Sequence, residues 1–194
     1  MEVEVAWEVG ALLGEGPAWL QDEGALRLVD IKAGKLHRYQ PVTGARSSIE
    51  VGGKPSFVIP EAGGGMLVGS RNAVHRMEGE RLGVRLAVFD MPDHNRTNDA
   101  TVDGEGRIWF GTMDDDEAQP TGALYCLDRS GVHDLGGEAV VTNGPALSRD
   151  GRTLYHVDSG GLNEAALAEQ PLAGALLAFA APVPGNPLPS ARIG

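Results

Sequence analysis

Leu26-Arg27-Leu28-Val29-Asp30, the turn Lys32-Ala33-Gly34 and Leu36-His37-Arg38-Tyr39 carry the argument for the architecture, because the chain writes this hairpin more than once. Apolar runs of four or five residues bounded by Gly-containing turns read as short strands. The hairpin is reached from Pro17-Ala18-Trp19 through the turn Asp22-Glu23-Gly24. From Pro55-Ser56-Phe57 the chain passes through Gly63-Gly64-Gly65 into Met66-Leu67-Val68 and Val74-His75-Arg76-Met77. Pro17 to Pro55 is a shift of 38 residues, and so is Leu36 to Val74.

A third copy runs from Asp99 through Gly104-Glu105-Gly106 and Ile108-Trp109-Phe110 to Gly122-Ala123-Leu124-Tyr125. A fourth runs from Gly144 through Arg149-Asp150-Gly151 and Thr153-Leu154-Tyr155-His156 to Gly174-Ala175-Leu176-Leu177-Ala178-Phe179, with Arg107 and Arg152 45 residues apart. A period near ~40 residues with three or four short strands per unit is the signature of a β-propeller blade. One such sheet has two apolar faces and cannot cover both alone, so the units must stack. The sequence therefore predicts an all-β chain with blades at about 14–54, 55–97, 98–142 and 143–194. Residues 1–13 stand apart, with Val3, Val5, Trp7 and Val9 alternating against Glu2, Glu4, Ala6 and Glu8 as in a half-buried strand. Only Leu162 to Gln170 carries a helical signal, ended by Pro171. The tail Pro182-Val183-Pro184-Gly185-Asn186-Pro187-Leu188-Pro189 suits an edge turn.

Composition agrees. Gly makes up 28 of 194 residues, about twice the ~7% usual share, and is spread in turn-like dipeptides. The formal net charge of -11 repels phosphate backbones and anionic lipid, which argues against nucleic-acid and membrane partners, and it suits a bound divalent cation. The single cysteine, Cys126, excludes an intrachain disulfide and reads as a small buried apolar residue. The amino terminus lacks a basic region followed by an apolar core, so a cytoplasmic location is the expectation.

Three loops precede strand-like runs and carry oxygen or guanidinium groups: Gly14-Glu15-Gly16-Pro17, Arg96-Thr97-Asn98-Asp99 and Thr142-Asn143-Gly144-Pro145. Loops on a rigid scaffold are where folds keep their chemistry. One carboxylate, two amides and one guanidinium converging on a point would serve a hard divalent cation and an oxygen-rich ligand. Asp99 reads as structural, tying loop amides together. Asp30 and Asp158, and likewise His37 and His75, recur at equivalent repeat positions and also read as structural. His94 is a minor candidate for proton transfer.

These loops, together with Trp19, Val29-Asp30, Val102-Asp103, Gly106-Arg107, Trp109-Phe110-Gly111-Thr112-Met113, Gly122-Ala123-Leu124-Tyr125 and Asp150-Gly151, resemble the senescence marker protein/gluconolactonase family of sugar lactonases. The matching pieces run in order from about 14 to 180. The resemblance implies a six-bladed propeller, here about four blades, with residues 1–13 as the ring-closing strand. It implies one divalent cation in the channel, Ca2+ or alternatively Zn2+, Mn2+ or Mg2+, with Glu15 and Asn143 as ligands. Arg96, Asn98 and Asp116 fall where the family binds substrate, although the family usually has a glutamate at the position of Asp116. The family's metal-ligating aspartate base is expected beyond Gly194, so no catalytic base is assigned and little turnover is expected of the 194 residues alone. The expected partner is a small sugar lactone. Alternatives are a calcium-binding or scaffold propeller, or a related organophosphate or aryl-ester hydrolase. Uncovered blade faces would favour oligomers.

Overall fold

The computed structural model describes residues 4–147, 154–158, 176–178 and 190–193. Three four-stranded antiparallel sheets follow one another along the chain. After β1 (Glu4–Trp7), the first sheet is β2 (Gly14–Leu20), β3 (Ala25–Asp30), β4 (Lys35–Gln40) and β5 (Ala45–Glu50). The second is β6 (Pro55–Pro60), β7 (Met66–Ser70), β8 (Ala73–Glu78) and β9 (Arg81–Val88), and the third is β10 (Asn95–Val102), β11 (Ile108–Asp114), β12 (Gly122–Asp128) and β13 (Gly131–Ala139). Next, β14 (Thr142–Leu147) pairs with β15 (Leu154–Asp158), and β1 pairs with β16 (Leu176–Ala178), Val5 opposite Leu177. This is the propeller architecture that the repeat predicts. The helical signal at Leu162 to Gln170 and the proline-rich tail at 182–189 lie outside the described residues.

The hairpin of the 38-residue repeat forms in register, Leu26 opposite Tyr39 in the first sheet and Leu67 opposite Arg76 in the second. The first strands of neighbouring sheets, β2, β6, β10 and β14, pack in sequence. Two apolar layers fill the spaces between sheets. Val29, Ile31, Leu36, Val58 and Val68 join the first sheet to the second, and Phe57, Ile59, Val102, Ile108, Phe110 and Tyr125 join the second to the third. Phe110 stacks on Tyr125 at 5.4 Å between ring centroids. Burying one such side chain contributes roughly 1.5–3 kcal/mol, so each interface is held by several of them.

Residues read as structural have structural contacts. The Asp30 carboxylate accepts hydrogen bonds from the amides of Leu12, Leu13 and Ala33. His37 and His75 are buried, and burial pushes both pKa values down. Cys126 is buried, and burial raises its thiol to about 11, so it is inert at neutral pH. Among the described residues no helix is long and apolar enough to cross a membrane.

Candidate metal and sugar site

The first strand of every sheet breaks register near its start. In β2 the shift falls between Glu15 and Ala18, in β6 between Pro55 and Phe57, in β10 between Thr97 and Ala100, and in β14 between Asn143 and Ala146. A bulge re-aims the side chains beside it, and here one falls in the first strand of each of these four sheets. Glu15-Gly16-Pro17-Ala18 and Asn143-Gly144-Pro145-Ala146 are the same local device with a different first residue. Gly16 and Gly144 have φ of +56° and +55°, a left-handed conformation that costs Gly little. The carboxylate of one strand and the amide of another thereby occupy equivalent positions at their bulges.

The second sheet has Ser56 at its bulge, and Ser56 Oγ donates to Thr97 Oγ1 at 2.6 Å, tying β6 to β10. The third sheet approaches β14 closely. A side chain at Gly111 would meet Thr142 Oγ1 at 2.0 Å, so only Gly allows this contact. Thr142 Oγ1 donates to the Thr112 carbonyl at 2.9 Å. These contacts tie β6 to β10 and β11 to β14, and β2 packs beside β6.

Arg96 is 3% exposed, and its guanidinium is held on two edges. Nε donates to Asp115 Oδ1 at 2.9 Å, while Nη1 donates to Asn98 Oδ1 at 2.7 Å and to the Thr97 carbonyl at 3.1 Å. Asp115 is also ion-paired with Lys54. Asn98, 1% exposed, donates from Nδ2 to the Thr142 carbonyl at 2.6 Å and more distantly to Asn143 Oδ1 at 3.4 Å. It therefore connects Arg96 to Asn143 across the β10–β14 boundary. Asp99 accepts from the amides of Ala100 and Gly144, the structural role expected of it.

Glu15 completes the cluster through its field. Burial raises its pKa, with Arg96 pulling it down and the Asp99 and Glu117 carboxylates pushing it up. Burial likewise lowers the pKa of Arg96, against the charges of Glu15 and Glu117. Among the described residues the Glu15 carboxylate accepts no side-chain or backbone hydrogen bond. Asn98 thus joins Arg96 to Asn143, and the charges of Glu15 and Arg96 act on one another.

Asp116 is exposed, and its charge is felt by Lys54 rather than by Glu15. The carboxylate felt at Glu15 and Arg96 is its neighbour Glu117, whose backbone has φ of +56°. Sequence reading puts the family's acidic residue at Asp116 and gives Glu117 no role. Asp114 fixes the loop by accepting from the amides of Asp116, Ala118 and Gln119. His94 is exposed and lies within 3.3 Å of Thr121 Oγ1.

An oxygen-only donor set suits a hard cation. Glu15 offers a half-buried carboxylate lacking hydrogen-bond donors and Asn143 an amide oxygen, donor types that fit a divalent ion. Among the described residues, no group of three or more His, Cys, Asp or Glu side chains forms a metal cluster.

The chain is 34% identical over 154 residues to a 6-deoxy-6-sulfogluconolactonase of Pseudomonas putida, covering 77% of this chain and 52% of that protein. It is 34% identical over 162 residues to a pentonolactonase of Haloferax volcanii, 82% of this chain and 54% of the relative. Among solved structures it is similar to a regucalcin of Agrobacterium tumefaciens described as a calcium-binding protein. That match has a TM-score of 0.75 and 25% identity, covering 80% of this chain and 53% of the other. The chain spans about half the length of the curated relatives it matches. The SMP-30/Gluconolactonase/LRE-like region model matches residues 13–165, and with these bulge-borne residues inside that span, the chain belongs to this family.

Proposed function

We propose that the chain supplies the ion-binding and sugar-orienting face of a metal-dependent hydrolase that opens sugar lactones. The observation that carries this reading is the Glu15 carboxylate, raised in pKa by burial, without hydrogen-bond donors among the described residues, and set on the same Gly-Pro bulge as Asn143. Glu15 and Asn143 would hold one divalent cation, Ca2+ by the oxygen character of the donors, with Zn2+, Mn2+ and Mg2+ as alternatives. When bound, such an ion polarises a lactone carbonyl and acidifies a water.

The chain's own contribution is orientation. Arg96 presents a guanidinium already locked by Asp115 and Asn98, and a planar donor fork suits sugar hydroxyl and carboxylate oxygens. Asn98 acts mainly by keeping Arg96 and Asn143 in register, since its amide is engaged at both ends. Of the two acidic neighbours, Glu117 is better placed than Asp116 to accept from a sugar hydroxyl near Arg96. The proton acceptor for the attacking water is left unassigned.

Titration calorimetry with Ca2+, Mn2+ and Zn2+ on the full chain and on Glu15→Gln tests the ion site. Saturable binding to the first and its loss in the second is the expected result, and no binding by either sinks the proposal. A pH-stat assay with gluconolactone then separates the readings. Cation binding without turnover moves the chain to a calcium-binding or scaffold propeller. Preference for a phosphotriester or aryl ester moves it to a related hydrolase.

A further inference from the structure

Beside the cluster, between the β7–β8 turn and the β9–β10 loop, lies a cavity of about 280 Å³ lined by Arg71, Asn72, Met91, Pro92, Asp93 and Asn95. It shares its walls with the site. The Arg71 carbonyl accepts from the Thr97 amide at 2.9 Å, and Asn95 immediately precedes Arg96. Its volume sits at the lower edge of the ~300–1,000 Å³ usual for small-molecule pockets, a size for one sugar ring rather than a large ligand.

Arg71 is the unexpected residue. Arg71 and Asn72 alone join β7 to β8, and Arg71 has φ of +52° at the first position of this two-residue turn. Gly or Asn is the favoured residue there, and an Arg in the left-handed region is strained. Among the described residues its guanidinium makes no hydrogen bond or ion pair. Asp93, also exposed, faces the same cavity without pairing with Arg71. Strain kept at a residue whose side chain has no internal partner is a mark of a binding position.

We infer that this cavity is a second sugar subsite, taking the glycosyl unit of a lactone whose reactive ring lies at Arg96, as in an aldobionolactone. The inference rests on the lactone reading of the neighbouring site. Its chemistry suits a neutral polyhydroxyl ring. Arg71 and Asn72 can donate to hydroxyl oxygens, Asp93 can accept from a hydroxyl, and Met91 and Pro92 offer an apolar surface to ring C–H groups.

The test titrates the full chain with cellobionate and with gluconate, using Arg71→Gly and Asp93→Ala. Cellobionate is expected to bind about tenfold more tightly than gluconate, a difference of about 1.4 kcal/mol. In Arg71→Gly that preference should vanish while gluconate affinity stays unchanged. Because Gly relieves the strained turn, the melting temperature of Arg71→Gly should not fall, which separates lost binding from lost folding. Asp93→Ala should also weaken cellobionate selectively. Equal affinities in the parent chain, or a preference that survives Arg71→Gly, overturn the subsite. Tighter binding of gluconate 6-phosphate than of cellobionate overturns it in favour of an anion site. If neither aldonate binds, the lactone reading fails and methyl β-glucoside decides the subsite alone. Shifts of the Asn72 and Asn95 side-chain amide resonances uphold it, and their absence overturns it.

Discussion

Two acidic residues, Glu15 at the start of β2 and Asp103 just past the end of β10, show how the same functional group becomes site or scaffold. Asp103 is 6% exposed and richly supplied with donors: the amides of Glu105 and Arg107, Arg107 Nε at 2.6 Å and Trp109 Nε1 at 2.9 Å. Burial alone would raise its pKa, but these hydrogen bonds together bring it below the ordinary 3.8. Glu15 suffers the same desolvation without those donors, and its pKa rises above the ordinary 4.5. A carboxylate surrounded by N–H groups is part of the frame. One left without them, in the field of a buried Arg, keeps its oxygens free of N–H partners, which is why the proposed function gives it a cation.

The sharpest way to break the comparison is Glu15→Gln. Cation affinity should drop by more than about 100-fold, since changes to a ligand's supporting contacts alone typically cost 10- to 100-fold. Calorimetry measures this, and the metal-free variant should melt no lower than the parent. Asp103→Ala should do the reverse. It should lower stability by roughly 2–3 kcal/mol, as buried donors on Arg107, Trp109 and the turn lose a charged acceptor. Chemical denaturation measures that loss, and cation affinity should stay unchanged.

The pH dependence sharpens the contrast because the signs are opposite. Glu15 has a raised folded pKa, so in metal-free protein its contribution is fully present below pH 4.5 and is lost as pH rises through the folded value. Asp103 has a depressed one, so its contribution is present above pH 3.8 and is lost as pH falls through the folded value. Thermal melts from pH 2 to 7 should therefore lose the high-pH decline in Glu15→Gln and the low-pH decline in Asp103→Ala. The smallest effect is expected at an exposed pair with neither burial nor donors at stake. Glu50→Gln removes the 3.8 Å contact with Lys35 and should change stability by less than ~0.5 kcal/mol.

Much of this was legible in residue order. Pro17 to Pro55 and Leu36 to Val74 announce the repeat, and the β3–β4 and β7–β8 hairpins form where those residues stand. Asp30, Asp99, Cys126, His37 and His75 have the buried or loop-tying places expected of them. Glu117 was less legible than Asp116, because an offset counted from Met113 takes no account of a backbone turned to positive φ. Asn98 was read as facing a ligand. Its burial follows from the β10–β14 contact, which Gly111 permits by leaving room for Thr142.

By itself, the order of residues determined the architecture and the roster of chemical groups, because period, turn residues and strand patterning act over a few neighbours. Which of those groups meet was decided only in three dimensions. Glu15, Arg96 and Asn143 stand about 50 to 130 residues apart in the chain. Only stacked sheets put Arg96 and Asn143 on one Asn98 side chain and set Glu15 in the field of Arg96.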